Sequence, residues 1–155
     1  MSTHKVVATL NRLLANHRFS MVNYVCQTSS WTHPGNEALS EAIRGIADDH
    51  EHYSRRLSEL IAERDGSVKP RSYPMAFMSL NDLSLDYLLT RIIADQRQDT
   101  QEIEKFVADL TEDAQARDLA SEILRSERAH VDILNEFLPQ TTSVPNGDQN
   151  CLQVA

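Results

Sequence analysis

Two carboxylate and histidine pairs, Asp49 with His52 and Glu127 with His130, stand three residues apart in segments whose apolar residues recur at helical spacing. At that spacing the two side chains share one helix face, one turn above the other. Each pair interrupts an apolar stripe: Leu39, Ile43, Ile46, Leu57 and Leu60 around the first, and Leu119, Ile123, Ile133, Leu134 and Phe137 around the second. His17 interrupts Leu10, Leu13, Leu14, Met21 and Tyr24 in the same way, and Asp95 and Asp99 interrupt Leu88, Ile92, Ile103, Phe106 and Leu110. An ionisable group in a stripe that must be buried needs a partner or a ligand. Mixed oxygen and nitrogen donors suit iron, manganese or zinc, and burying so many of them without a cation is costly.

The elements that must position these residues are four helices. Four stretches with an apolar period near 3.6 are separated by Gly, Pro and Ser/Thr/Asn clusters. The first is expected from about Thr3 to Ser30, where Trp31-Thr-His-Pro-Gly35 stops it. The second runs from about Glu37 to Arg64 and ends at Asp65-Gly66, with Gly66 expected in the left-handed position after the helix. The third starts between Asn81 and Ser84 and reaches Leu110. The fourth starts at Thr111-Glu112-Asp113 and ends before Pro139. Each is roughly 40 Å long at about 1.5 Å per residue. Short connections make neighbours antiparallel, and the longer Asp65 to Leu83 link crosses the bundle end to end. The expected fold is therefore all-α: an antiparallel four-helix bundle over 1–139 with one long crossover, followed by a polar, flexible tail over 140–155. Because antiparallel helices of equal length bring their middles to one level, the interruptions should converge inside the bundle.

Composition narrows the function classes. The 155 residues include only 4 Gly and 5 Pro, and aromatic content is 6%, which favours helix over sheet. The net charge of −8 argues against a nucleic-acid partner and weakly favours cations. No segment approaches the roughly 20 apolar residues that span a bilayer, and nothing at the N-terminus reads as a leader, so a cytoplasmic protein with no membrane partner is expected. Cys26 and Cys151 form neither a disulfide framework nor a metal-binding pair; Cys26 is expected to pack.

Over about Leu10 to Leu138 the chain resembles the bacterioferritin branch of the ferritin-like di-iron carboxylate proteins. The segments carrying the likeness are Leu10-Asn-Arg-Leu-Leu-Ala-Asn16 and Glu122-Ile-Leu-Arg-Ser-Glu-Arg-Ala-His130. The family supplies a Glu from each of two helices and a Glu-x-x-His pair from each of the other two. Glu127 and His130 match such a pair, and His52 matches the histidine of the second-helix pair. His17 falls where the first Glu is expected, Asp49 replaces the second-helix Glu, and the third-helix position falls at Ala94, with Asp95 its nearest acidic neighbour. The resemblance further implies a role for Tyr24 beside the metal ligands, as a tyrosine acting in catalysis. It also sets His50 at the position of the methionine that ligates haem between two subunits, although an exposed histidine is the simpler reading and haem is not expected.

The resulting expectation is a metal protein holding iron or manganese through His17, Asp49, His52, Asp95, Glu127 and His130. Its activity would be oxidation of Fe(II) by O₂ or peroxide. One alternative is a mononuclear three-histidine site, His17, His52 and His130, taking zinc or nickel. Another is a non-catalytic bundle with a polar centre. A homodimer is expected, with a larger assembly as the other option.

Overall fold

The computed structural model describes residues 2–28 and 34–140. The helices among them are α1 (Thr3–Arg18), α2 (Met21–Gln27), α3 (Glu37–Glu63), α4 (Leu85–Asp109) and α5 (Ala114–Asn135), with a 3-10 turn at Met75–Leu80 in the crossover. No strand occurs among the described residues, in agreement with the expected all-α bundle. The expected tail lies, beyond Gln140, outside the described residues, as do Trp31 to His33.

The first expected helix is broken into two, and the residues at the break explain it. Ser20 is extended (φ −67°, ψ 157°), and its Oγ accepts the Asn23 N–H at 3.2 Å, capping α2. The Asn23 side chain reaches back, donating to the carbonyls of His17 (2.8 Å) and Arg18 (3.2 Å) that the end of α1 leaves free. Ser and Asn compete for backbone groups in this way, so an apolar period that runs on through Met21 to Val25 does not keep one helix continuous.

The end of α3 also differs in detail. Asp65, with φ 54°, takes the left-handed position, and Gly66 follows it. The Gly66 N–H donates to the Ile61 carbonyl at 2.9 Å and the Asp65 N–H to that of Ala62 at 3.0 Å, the paired bonds of a Schellman ending. Gly66 is needed for closeness instead: a Cβ there would lie 2.7 Å and 2.9 Å from the two methyls of Val7. Arg64 then grips Asp113 at 2.8 Å, and Asp113 caps α5 through the Ala116 N–H, so the end of α3 is fastened to the start of α5.

Side-chain bonds give the directions. Asn11 in the middle of α1 holds Ser67 and Lys69 just past the end of α3, while Ser20 just past the end of α1 meets His50 in the middle of α3, so α1 and α3 are antiparallel. Arg97 with Asn135, and Arg128 with Glu104, set α4 and α5 antiparallel. Asn36 meets Asp86 where α3 and α4 begin, so residues 64–84 travel the bundle's length, as expected of the crossover. None of these helices is long and apolar enough to cross a membrane.

The core is two clusters. One gathers Leu10, Leu13, Leu57, Leu60, Ile103, Phe106 and Ile123; the other gathers Val22, Ile43, Ile46, Leu88, Ile92 and Leu134. α3, α4 and α5 contribute to both, α1 to the first and α2 to the second, and between them lie the end of α1 and the middles of the other three long helices. Replacing Gly66 by Ala is expected to destabilise the fold by about 1–3 kcal/mol, because branched Val7 cannot swing aside. A urea midpoint no lower than that of the wild type would contradict this packing.

Candidate metal centre

Counting along each apolar stripe in alternating steps of four and three residues shows what occupies the gap between the two clusters. In α1 the series Val6, Leu10, Leu13 leads to His17 and then Ser20. In α3, Leu39, Ile43 and Ile46 lead to His50 and Tyr53 before Leu57. In α4, Leu85, Leu89 and Ile92 lead to Gln96 and Asp99 before Ile103, and in α5, Ala116, Ala120 and Ile123 lead to Glu127 and His130 before Leu134. α3, α4 and α5 thus each turn two polar residues, three apart, toward the bundle axis at mid-length, and His17 at the end of α1 and Ser20 just past it join them at the same level. His17, Ser20, His50, Gln96, Glu127 and His130 are all at most 3% exposed.

Glu127 is the hub. Its Oε1 lies 2.8 Å from His50 Nε2, 3.3 Å from His17 Nε2 and 3.4 Å from His130 Nδ1. His17 Nδ1 lies 3.2 Å from the Leu13 carbonyl, which can only accept, so Nδ1 carries a proton, and Nε2 is the nitrogen that faces the carboxylate. Two electron-rich atoms facing one another at that distance need a proton or a cation between them. His50 differs: Nε2 meets Glu127 while Nδ1 meets Ser20 Oγ at 2.9 Å. His130 Nε2 meets Asp49 Oδ2 at 2.7 Å, which leaves Nδ1 for the centre.

Buried polar atoms without a hydrogen-bond partner concentrate at this level. They are His17 Nε2, His130 Nδ1, Ser54 Oγ, and both amide atoms of Gln96, one residue from each of the four long helices. Such groups normally find partners, so their clustering marks a place built around something that supplies bonds. The donor chemistry fits a transition-metal ion: His17, His50 and Glu127 bring their ligand atoms within 4.8 Å of one another.

The electrostatics agree with that fit. Burial would raise the Glu127 carboxyl, yet His50, His130 and His17 outweigh it and hold it well below the usual range, so it stays ionised. Burial lowers His50, against the pull of Glu127. His130 is pulled upward overall, because Glu127 and Asp49 outweigh its burial. Asp99 is pushed up to about 8 by burial first, then by Asp95, Glu127 and Glu102. Asp95 is raised for the same leading reason and accepts the Met21 N–H at 3.4 Å. Asp95, Asp99, Asn16 and Ser20 line a cavity of ≈ 230 Å³ at the helix break, closed on its far side by Arg71 and Phe77 of the crossover.

The expected site residues divide. His17, Glu127 and His130 converge as expected. Asp49 is more than half exposed and holds the outer nitrogen of His130. His52 is exposed against the Tyr53 ring, 5.3 Å between centroids, and lies outside the three-ligand group. Its place in the centre is taken by His50, which is 1% exposed, because the apolar phase of α3 runs through 50 and 53, not 49 and 52. This also corrects the reading of His50 as a surface residue or a haem ligand between subunits: both its ring nitrogens are engaged inside the bundle. Asp95 flanks the stripe of α4, while Asp99 lies in it. Tyr24 stands away from the centre because the break reorients α2; its hydroxyl donates to Asn81 at 2.6 Å and its ring packs on Tyr73 and Phe77. Cys26 is exposed and does not pack in the core.

Against known families, the Ferritin family, described as a ferritin-like domain, matches residues 7–144. The chain belongs to the ferritin-like family. No curated protein matches it significantly. Set beside the pattern of carboxylates and two Glu-x-x-His pairs on four helices, this ferritin-like chain keeps one such pair, Glu127 and His130. It turns His17 inward from the first helix, His50 and Tyr53 from the second, and Gln96 and Asp99 from the third. Its centre is richer in nitrogen and poorer in carboxylate.

Asp99 gives a pH prediction. Its folded pKa lies above its unfolded value, so the folded state binds the extra proton and stability falls as pH rises between the two, by at most about 1.4 kcal/mol per unit. In chelator-treated protein, Asp99→Asn should therefore be more stable than wild type at pH 8 and should lose that advantage near pH 4. Equal urea midpoints at pH 8 would show that Asp99 is not held in this buried, acidic setting.

Proposed function

We propose that this ferritin-like protein binds one divalent transition-metal ion per chain, iron or manganese, through His17, His50 and Glu127, with His130 beside them. The observation that carries the reading is the approach of three ligand atoms to within 4.8 Å while His17 Nε2 has no hydrogen-bond partner. Two imidazoles and one carboxylate, with positions left for other ligands, are a set suited to Fe(II). Iron held by these residues would supply oxidation chemistry toward O₂ or peroxide, and oxidation of Fe(II) is the activity we assign.

The chain's own contribution is to prepare the site. Glu127 is kept ionised among three imidazoles. Asp49 aims His130 from the outside, as outer partners of ligating histidines do. The two apolar clusters exclude bulk water above and below. Asp95 and Asp99 place carboxyl oxygen donors along the cavity at the helix break, through which a cation would approach. Only one group of three ligand residues comes together among the described residues, which favours one ion over two.

Metal analysis of the protein after anaerobic Fe(II) loading and desalting should give about one iron per chain, and Glu127→Gln should retain little. Metal held at a hundredfold excess over Kd should raise unfolding free energy by about 2.7 kcal/mol, a gain absent from Glu127→Gln. Two irons per chain would replace the single-ion reading with a dinuclear one, and none in folded protein would overturn it. Retention of zinc in preference to iron would favour the histidine-rich alternative, now built from His17, His50 and His130.

A further inference from the structure

Ser20 stands at two junctions at once. It caps α2 at the break in the first bundle strand of helix, and its hydroxyl touches the one imidazole whose two nitrogens are both engaged. The Asn23 N–H donates to Ser20 Oγ, so the hydroxyl hydrogen is free to point elsewhere. Among the described hydrogen bonds His50 Nδ1 is the acceptor within reach of that hydrogen, so the proton of the 2.8 Å contact with Glu127 sits on Nε2. Nδ1 then holds a lone pair, and the Ser20 O–H donates to it at 2.9 Å. The chain of donors runs from Asn23 through Ser20 and His50 to Glu127.

A metal at His50 Nε2 requires the opposite tautomer. We propose that Ser20 is a positioning residue that switches His50 between its two tautomers, donating to Nδ1 when the centre is metal-free and accepting from Nδ1–H when Nε2 binds a metal. The inference rests on the metal reading above. The Nε2 proton passes to solvent and Nδ1 takes one from solvent by way of the Ser20 hydroxyl, which lines the open cavity, so the imidazole remains neutral and no net proton is lost. A hydroxyl can serve both states because it has one hydrogen and two lone pairs, and in the second state it accepts from both Asn23 and His50. Its hydrogen can then turn to water in the cavity that Ser20 lines. A backbone carbonyl or a carboxylate in this position could serve only the metal-bound state. The same hydroxyl fixes the start of α2, so the helix break and the metal ligand are held by one group.

Zn(II) is a suitable diamagnetic probe, with affinity read by chelator competition and His50 read by ¹⁵N NMR of histidine-labelled protein. Wild type should show the proton on Nε2 without Zn(II) and on Nδ1 with it. Ser20→Gly, which preserves capping to within a few tenths of a kcal/mol, should bind Zn(II) about 10–100-fold more weakly. Ser20→Thr, which keeps the hydroxyl, should restore affinity to within roughly threefold of wild type, a pattern that loss of the cap alone would not give. Unchanged affinity in folded Ser20→Gly, or a metal-free His50 already protonated on Nδ1, would overturn the switch and leave the metal reading standing. Wild type that takes up no Zn(II) and no Fe(II) would overturn both.

Discussion

One carboxylate oxygen shared by three imidazoles is the constraint around which the bundle is arranged. Glu127 is buried, ionised and faces His17, His50 and His130, which converge between the two apolar clusters. An isolated carboxylate in such a place would be strongly disfavoured. Neighbouring imidazoles reverse that, and they also create the condition in which a cation is welcome. His17 supplies the clearest sign, since the Leu13 carbonyl engages the far side of its ring while Nε2, without a hydrogen-bond partner, faces the carboxylate at 3.3 Å.

The departures from helical regularity follow from the same requirement. The break at Phe19 and Ser20 detaches α2 from α1, and Asn23 and Ser20 satisfy the backbone groups thereby released. What the break provides is a serine hydroxyl against His50 and a cavity reaching Asp95 and Asp99 from the side of the crossover. A continuous helix would have carried Tyr24 toward the centre. The broken one gives Tyr24 to the aromatic group with Tyr73 and Phe77, which pins the crossover across the helix break.

Most of the bundle was legible in the sequence because its punctuation is chemical: Ser84 and Asp113 are caps, Asp65-Gly66 is a stop, and the apolar stripes are long. His17, Glu127 and His130 were legible too, being ionisable groups inside those stripes. The second helix was misread because the three-residue spacing of Asp49 and His52 drew attention from phase. Spacing says that two residues share a face; only phase says which face. Continued from Leu39, Ile43 and Ile46, the count arrives at His50 and Tyr53 and ends correctly on Leu57 and Leu60. The same count selects Gln96 and Asp99 over Asp95. The break in the first helix was harder to see, since Ser20 and Asn23 act through hydrogen bonds that an apolar period does not register.

A metal ion in the polar layer between the two apolar clusters would be held by the inward nitrogens of His17 and His50 and by Glu127. Anomalous diffraction from crystals grown with Mn(II) or Fe(II), with data recorded on both sides of the metal's absorption edge, can locate it. One strong peak per chain is expected, about 2.0–2.2 Å from His17 Nε2, His50 Nε2 and a Glu127 oxygen. Peaks confined to surface carboxylates, with His17 and His50 still directed at a metal-free Glu127, would contradict it.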